Sequence, residues 1–475
     1  MKRDAHSEPL HYQDATSLAA LIARKQVSSR EVVRAHLDRI AEVNPSVNAI
    51  VTLLAEEALR AADAADAAVA SGTELGPLHG VPVTVKDSID TAGVLTQGGT
   101  KLFAGRVPDA DGTSVSRFKA AGGIVLAKTN IPEFSAWTET DNFVTGRTNN
   151  PWRLDRTPGG SSGGESAAIA SGMSPIGIGS DVAISLRGPA AYTGIGALKA
   201  THGRIPFTGH LAPMTSAWFH VGPMARTVRD IALGYSLLSG PDGRDGYAVH
   251  AKDTESASTR IAGQTIRVGW AVDSFGPVDP EIAAAVADAA ARLVDLGCRV
   301  DRIDPPFLRE TDALTAVMTF FYSQLVPHVK ALAAGREDEL FATGAGIVAM
   351  ADPTFAQLHA ARRTQEDLRS AFAGYFGDYD VLLCPVNPVT APPHGLQELV
   401  VDGVTVSWAH VMDITSFFNL TGLPALSVPY GFSSESLPIG IQLVSRWFDE
   451  STILRLGALL ERKGGLGDRR PPIPV

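Results

Sequence analysis

The sequence predicts an α/β fold, in which helices cover both faces of a β-sheet. Two observations support this prediction. The chain has 475 residues, 45% hydrophobic and 19% charged, which is typical of a globular protein that buries a large core. From Gly80 onward, short apolar runs of strand length alternate with helical patterns, as expected when helices pack against a sheet.

The N-terminal part of the chain is predicted to be helical. A first helix is expected over about 18–22, a second over about 28–40 and an alanine-rich third over about 56–70. Ser28 followed by Glu31 has the spacing of a capping box, which predicts where the second helix begins.

The rest of the chain alternates between the two types of element. Strands are predicted over 81–85, 124–127, 266–271, 381–384 and 426–429. Helices are predicted over 114–121, 166–171 and 280–296. The stretch 240–265 is polar and has little pattern, whereas 305–376 is mostly helical and aromatic, which is typical of a lid or a substrate wall.

Composition excludes several classes of function. The net charge is −10 and no dense Lys/Arg run occurs, so we expect no nucleic-acid partner. No run of about 18 apolar residues occurs, so we expect no membrane partner. The N-terminus, residues 1–14, is polar, and Cys298 and Cys384 are the only cysteines, which predicts a cytoplasmic protein without a disulfide framework. No cluster of metal-ligating residues appears, so neither metal nor cofactor is expected.

A glycine-rich loop, Thr157-Pro-Gly-Gly-Ser-Ser-Gly-Gly-Glu165, is the most unusual segment. A flexible linker is one interpretation, although the loop leads directly into a helix of small residues. A phosphate-binding loop is disfavoured, because the Lys-Ser/Thr of a Walker A motif is missing and Glu165 would repel phosphate. A third interpretation is a G-x-S-x-G elbow with Ser162 as the nucleophile, which would need a partner such as His394 or His410.

Two further segments carry residues of catalytic type. Ser185 and Arg187 lie in Gly179-Ser-Asp-Val-Ala-Ile-Ser-Leu-Arg-Gly-Pro-Ala190. Lys86 ends an apolar strand-like run that begins after Gly80. Taken alone, each fits a structural role, Ser185 as a buried hydroxyl and Lys86 as a snorkelling or ion-paired residue.

Together, these segments resemble the amidase signature family, and the resemblance covers most of the chain. The matching blocks are, in order, Gly76-Pro-Leu-His-Gly-Val-Pro82 with Lys86-Asp87, Lys128-Thr-Asn130 with Glu133-Phe134, Asn149-Asn-Pro-Trp152, Pro158-Gly-Gly-Ser-Ser-Gly-Gly164, Gly194 to Lys199 with His202-Gly-Arg204, Gly222-Pro-Met-Ala-Arg226 with Asp230, Asn419-Leu-Thr-Gly-Leu-Pro424 and Gly440-Ile-Gln442. The resemblance implies one large domain over 1–475 with a mixed, twisted sheet. Its core would span 14–240 and 377–465, with a variable helical segment over about 240–376.

The resemblance also assigns catalytic roles. It implies that Lys86 is the base, Ser161 a bridging serine and Ser185 the nucleophile, since Ser185 follows Ser161 by 24 positions, an interval typical of the family. The chemistry is plausible, because burial can lower the pKa of a lysine and a hydroxyl can relay its proton. Ser162 would be a supporting hydrogen-bond donor, and Asp181 and Arg187 structural or substrate-orienting residues.

The resemblance further implies a cis peptide between Gly160 and Ser161, and an oxyanion hole formed by the backbone N–H groups of Val182, Ala183, Ile184 and Ser185. One departure stands out. Where the family commonly has two glycines before the nucleophile, this chain has Ala183 and Ile184. A β-branched isoleucine disfavours positive φ, so the turn must use ordinary dihedral angles or be altered, and the Ile184 side chain can reshape the acyl pocket.

The predicted activity is hydrolysis of a small or hydrophobic amide, with ester or carbamate hydrolysis left open because the same acyl-enzyme route serves all three. Six aromatic residues are candidates for an apolar substrate pocket, with core packing as the competing interpretation: Trp137, Trp218, Phe219, Phe320, Phe321 and Tyr322. Two alternatives remain, the A-type subunit of a tRNA-dependent amidotransferase and an α/β-hydrolase esterase that uses Ser162. A homodimer is also left open.

Overall fold

The computed structural model describes residues 8–211, 218–251, 265–464, 466 and 469–473. Residues 1–7 of the polar N-terminal segment and residues 252–264 of the patternless stretch lie outside this description. No helix in the described ranges combines the length and hydropathy that crossing a bilayer requires.

The α-helices are distributed along the whole described chain. In chain order they are α1 Ala15–Ala23, α2 Ser29–Val47, α3 Ala55–Ser71, α4 Thr113–Ala120, α5 Gly163–Ala170, α6 Arg187–Thr193, α7 Val228–Leu238, α8 Pro280–Asp295, α9 Pro306–Glu310, α10 Ala313–Ala333, α11 Ala342–Ala349, α12 Phe355–Asp378, α13 Asp413–Thr421 and α14 Glu450–Lys463.

The β-strands form one large sheet and one hairpin. In chain order they are β1 Ile50–Leu53, β2 Pro82–Lys86, β3 Ile124–Thr129, β4 Ile176–Asp181, β5 Gly196–Lys199, β6 His220–Ala225, β7 Arg267–Trp270, β8 Arg299–Arg302, β9 Val381–Pro385, β10 Glu398–Val401, β11 Val404–Ser407, β12 Ala425–Phe432 and β13 Pro438–Ser445.

The described strands other than β10 and β11 make an 11-stranded sheet in the order β1-β3-β2-β4-β6-β5-β12-β13-β9-β7-β8. The sheet is mixed: β2 runs parallel to β3 and β4, and β7 runs parallel to β8 and β9, whereas the other neighbouring pairs are antiparallel. The predicted α/β fold with a mixed sheet is therefore confirmed.

Local sequence explains the element boundaries. Ser28 and Glu31 form the predicted capping box, with each side chain accepting a hydrogen bond from the other residue's backbone N–H. Helix α2 continues to Val47, beyond the predicted end near residue 40, because Val43 and Val47 are still buried against the core. Residues 305–376 are mostly helical, as predicted, whereas the described residues of 240–279 form no α-helix, and the strands β7 and β8 join the edge of the main sheet.

The sheet order brings the candidate site together. Strands β2 and β4 are parallel neighbours, so their carboxyl ends lie at the same edge of the sheet. Lys86 is the last residue of β2, and β4 ends at Asp181, four residues before Ser185. Loops that follow the carboxyl ends of adjacent parallel strands are a common location for binding and catalytic groups in α/β folds.

Candidate active site

Lys86 is completely buried and is surrounded by hydroxyl groups. Its Nζ lies 2.6 Å from Ser161 Oγ, 2.9 Å from Ser180 Oγ and 3.5 Å from the Ser180 carbonyl oxygen. Burial lowers the pKa of Lys86 to about 7, although the negative charges of Asp181 and Glu165 act to raise it. A substantial fraction of Lys86 is therefore the neutral amine near pH 7, the form that can accept a proton.

The glycine-rich loop is buried over 157–164, which rules out a flexible linker. The peptide bond between Gly160 and Ser161 is cis, as the resemblance implied. The loop packs so closely against its neighbours that side chains are excluded: a Cβ at Gly160 would lie 2.7 Å from the Trp137 carbonyl oxygen, and one at Gly164 would overlap the backbone of Asn130. Close backbone packing thus holds the Ser161 hydroxyl beside Lys86.

Ser185 lies in the turn between β4 and α6 and is half-buried. An ion pair without any solvent exposure braces this turn: Arg187 Nε lies 3.1 Å from Asp181 Oδ2. The same carboxylate oxygen accepts a hydrogen bond from Leu186 N at 3.0 Å, and Arg187 also donates to the Ala183 carbonyl oxygen at 3.2 Å. Asp181 and Arg187 therefore fix the backbone on both sides of Ser185.

The ion pair is itself held by its surroundings. Burial alone would raise the pKa of Asp181, but the charge of Arg187 and hydrogen bonds, including one from Asn419 Nδ2 at 2.9 Å, keep it below its usual value. Arg187 donates further hydrogen bonds to Asn419 Oδ1 and, at 2.9 Å, to Gln442 Oε1. A buried charge with this many partners is satisfied and rigid.

The backbone before Ser185 has ordinary dihedral angles. Neither Ala183 nor Ile184 has a positive φ, so the isoleucine is accommodated without strain. Its side chain packs into a small cluster of buried apolar residues that also contains Leu399, Val401, Trp408 and Val411. Within the described residues, the backbone N–H groups of 182–185 donate to no protein acceptor, so they are available to a ligand.

Ser185 opens onto a mainly apolar cavity. The described residues that line it are Ser135, Ala136, Trp137, Thr138, Val182, Ala183, Ile184, Ser185, Met318, Phe321, Tyr322 and Met412, and none of them carries a charge. Trp137, Phe321 and Tyr322 thus lie where a substrate pocket would need them. The structure places the other three predicted aromatics in the packed interior, with Trp218 stacked on Phe320 at 4.5 Å and Phe219 against Phe207 at 4.4 Å.

The alternative nucleophile has a different environment. Ser162 Oγ is buried and lies 3.2 Å from the Ser180 carbonyl oxygen and 3.3 Å from Ser180 N. The ring of His410 is hydrogen-bonded to Asp413 and to the Pro277 carbonyl oxygen. Ser162 is therefore engaged in supporting β4, and its hydrogen bonds among the described residues include none to a histidine.

Several residues of the site did not stand out in the sequence. Ser180 contacts Lys86 directly, and buried Glu165 accepts hydrogen bonds from Thr84 and, at 2.8 Å, from Thr129. Burial raises the pKa of Glu165 to about 7, partly offset by these hydroxyls. The adjacency of Ser180 to Asp181 at a strand end was the available signal for Ser180. Met318 and Met412 of the cavity had no signal, because only tertiary packing brings them there.

A buried lysine amine, hydrogen-bonded hydroxyls and a half-buried serine at a cavity are features of hydrolases that use a serine nucleophile. The family comparison agrees with this class. The family model described as Amidase matches residues 31–454, which is most of the chain. The chain therefore belongs to the amidase signature family and is an amide hydrolase.

Individual relatives differ in their functions. The chain is 36% identical to the A-type subunit of a glutamyl-tRNA(Gln) amidotransferase from Acidothermus cellulolyticus, covering 94% of this chain and 93% of the relative. It is 33% identical to an acylamidase of Rhodococcus erythropolis, covering 97% and 98%. The structure of a 6-aminohexanoate cyclic dimer hydrolase superposes with a TM-score of 0.87 at 31% identity, covering 98% and 99%.

Proposed function

We propose that this chain hydrolyses uncharged amides with an apolar acyl or aryl group, through an acyl-enzyme on Ser185. The observation that carries this proposal is the completely buried Lys86, whose Nζ lies 2.6 Å from Ser161 Oγ and whose pKa is lowered to about 7 by burial. Lys86 is the base and Ser161 relays the proton between Lys86 and Ser185.

The reaction follows from these roles. Neutral Lys86 takes the proton of Ser161 while Ser161 takes that of Ser185, and Ser185 Oγ attacks the amide carbon. The backbone N–H groups of 182–185, the oxyanion hole proposed above, stabilise the negative oxygen. The proton returns through Ser161 to the leaving amine as the C–N bond breaks. Water then attacks the acyl-enzyme by the same proton route and releases the acid.

The cavity supports the substrate class. Trp137, Phe321, Tyr322 and two methionines offer apolar contacts, and no charged side chain occurs among the described lining residues to bind a carboxylate or an ammonium group. Esters and carbamates with apolar groups are further substrates, because the same acyl-enzyme mechanism cleaves them. We also infer that the chain works in a reducing cytoplasm, since Cys298 and Cys384 are free thiols, and that a homodimer is compatible with this activity.

The second candidate is the A-type subunit of an amidotransferase, which the 36% identity to such a subunit favours. Glutamine carries both an α-carboxylate and an ammonium group, and such groups need charged or strongly polar partners in a site. The lining residues that the structure describes are uncharged, which favours the free hydrolase. Glutamine hydrolysis with negligible cleavage of apolar amides by the chain alone would favour the amidotransferase subunit.

The test uses the purified full chain on a panel of aryl amides, fatty amides, dipeptide amides, aryl carbamates and glutamine. We expect turnover of aryl or fatty amides without a partner protein. Ser185→Ala should lower kcat by about 10⁴-fold or more while the chain stays folded. Mass spectrometry after treatment with an activated carbamate should place the covalent adduct on Ser185.

Ser162→Ala is the matched control, since it removes the neighbouring candidate nucleophile. It should keep most of the activity, because the hydrogen bonds of the Ser162 hydroxyl within the described residues go to the Ser180 backbone and not to Lys86, Ser161 or Ser185. Retained activity in Ser185→Ala, or an adduct on Ser162, would overturn the proposal in favour of the esterase alternative.

A further inference from the structure

His210 lies beside the lysine–serine site, in the segment between β5 and β6. Its backbone is fastened to the residues after β2, because Leu211 N donates to the Ser88 carbonyl oxygen at 2.6 Å. Its ring is stacked on Phe207 at 4.5 Å and lies edge-on to Phe219 at 5.2 Å between centroids. The imidazole is therefore held in one orientation by packing on two sides.

The hydrogen bonds of the ring define its tautomer. Nδ1 lies 2.6 Å from the Leu211 carbonyl oxygen, which can only accept, so Nδ1 carries the proton. Nε2 lies 2.9 Å from Ser180 Oγ and 3.0 Å from Ser88 Oγ. Burial and the nearby charge of Lys86 lower the pKa of His210 to about 3, so the ring is neutral and Nε2 is a hydrogen-bond acceptor.

A neutral His210 restricts what Ser180 can do. When Ser180 donates its single hydroxyl proton to Nε2, only the lone pairs of its oxygen remain for Lys86 Nζ at 2.9 Å. A neutral amine has two N–H bonds and one lone pair. One N–H then points to Ser180 Oγ, the second faces the Ser180 carbonyl oxygen at 3.5 Å, and the lone pair is left for the Ser161 hydroxyl at 2.6 Å.

We propose that His210 is a positioning residue, which accepts a hydrogen bond from the Ser180 hydroxyl and thereby directs the lone pair of Lys86 at Ser161. This inference rests on the proposed role of Lys86 as the base. The Ser88 hydroxyl could also donate to Nε2. When Lys86 donates an N–H to Ser180 Oγ, however, the Ser180 hydroxyl cannot donate back to the amine, so its proton points to the imidazole. His210 acts only through Ser180 and touches none of the reacting atoms.

Other charged groups also set the protonation of this site. The carboxylates of Asp181 and Glu165 face Lys86 and favour its charged form, whereas burial, and to a smaller extent the nearby Lys86 and Lys128, keep His210 neutral. Losing His210 leaves these charges in place. The effect expected of His210 is therefore specific: a freed Ser180 hydroxyl can donate to the lone pair of Lys86, which stabilises the neutral amine and blocks its access to Ser161.

The test compares His210→Phe, which keeps a flat ring without nitrogen, with Ser180→Ala and the conservative Ser180→Thr. We expect His210→Phe to lower kcat by about 30-fold and to change KM by less than about 3-fold. The acid limb of its kcat/KM profile should move to lower pH. Ser180→Thr keeps the hydroxyl and should stay within about 3-fold of the unmodified chain, whereas Ser180→Ala should lose about as much as His210→Phe.

The double variant gives the sharpest outcome. If His210 acts through Ser180, then His210→Phe combined with Ser180→Ala should be no slower than Ser180→Ala alone. Ser88→Ala is the matched control, because it removes the other hydroxyl on Nε2 but leaves the contact between Ser180 and Lys86 in place, and it should keep kcat within about 2-fold. If His210→Phe does not fold, His210→Gln, which retains an acceptor oxygen and should therefore keep kcat within about 3-fold, is compared with the two Ser180 variants.

Three results would overturn the inference. The first is an additive loss of kcat in the double variant, and the second is a lower rate of His210→Phe with no shift in the acid limb of its kcat/KM profile. The third is full activity of His210→Phe or of Ser180→Ala. The proposed function fails separately, because it requires Lys86→Met to be inactive. An inactive Lys86→Met together with a fully active His210→Phe would remove the positioning role and leave the proposed base intact.

Discussion

Two regions of the candidate site are built in opposite ways. The site floor consists of Lys86, Ser161 and Ser180, which are buried, and the half-buried His210, and hydrogen bonds of 2.6–2.9 Å join these four residues. The site wall consists of Trp137, Met318, Phe321, Tyr322 and Met412, which contribute mainly apolar surface to the cavity.

The difference between the two regions separates chemistry from specificity. Polar groups in a low-dielectric interior must be paired and oriented, so the floor tolerates little change. Apolar contacts are not directional, so the wall can be altered with smaller consequences for the reaction itself. Changes to the floor should therefore lower kcat for every substrate, and changes to the wall should redistribute activity among substrates.

The largest effect is expected from removing the floor's amine. Lys86→Met keeps the length of the side chain, and it should lower kcat by about 10³–10⁴-fold with little change in KM, because the base is lost while the cavity stays. Steady-state kinetics on an aryl amide measures this. Lys199→Met is the control, since Lys199 is equally buried but donates to the carbonyl oxygens of Leu423 and Ala200. An equal loss of kcat in both variants would mean that removing any buried amine impairs the enzyme, and Lys86 would then have no specific role as the base.

A smaller loss is expected when the brace of the nucleophile turn is weakened. Arg187→Lys keeps the positive charge but loses the forked geometry that serves Asp181, Ala183 and Gln442 together. We expect the free energy of unfolding to fall by about 3 kcal/mol and kcat by about 100-fold. Urea titration and kinetics measure the two losses. Unchanged stability and rate would show that the turn needs no brace.

The smallest effect on the reaction is expected at the wall. Met318→Ala enlarges the cavity, so it should raise the preference for a bulkier acyl group over a small one by about 10-fold in kcat/KM. The kcat for the small substrate should change by less than about 3-fold. Thr319→Ala, the next residue on α10, is the control and should leave the preference as it is. A general loss of kcat in Met318→Ala would erase the distinction between wall and floor.

The fold was predictable from sequence where the local pattern is strong. The Ser28–Glu31 capping box and the apolar run after Gly80 predicted α2 and β2 because side chain and backbone determine those elements locally. β8 was missed because it is an edge strand whose terminal residues, Arg299 and Arg302, are exposed, which leaves no apolar alternation.

The candidate site residues were likewise predictable only where a local sequence motif is present. Lys86, Ser161 and Ser185 were predicted because each stands in a recognisable motif. Met412 and His210 were not, because they reach the site through long connections that no local pattern describes. Trp218, Phe219 and Phe320 show the converse, since an aromatic side chain in sequence cannot be assigned to a pocket or to the interior until its packing partners are known.

The most direct test of the floor is the pH dependence of kcat/KM at several temperatures. We expect activity to rise with pH and to level off above an acid limb near the lowered pKa of Lys86, about 7, because only the neutral amine accepts the proton. Warming should move this limb to lower pH, as the ionisation of an amine does and that of a carboxylic acid does not. If the pH of this limb did not change with temperature, or if the limb disappeared in Glu165→Gln, the titrating group would be the buried carboxyl of Glu165. Either result would contradict a lysine base.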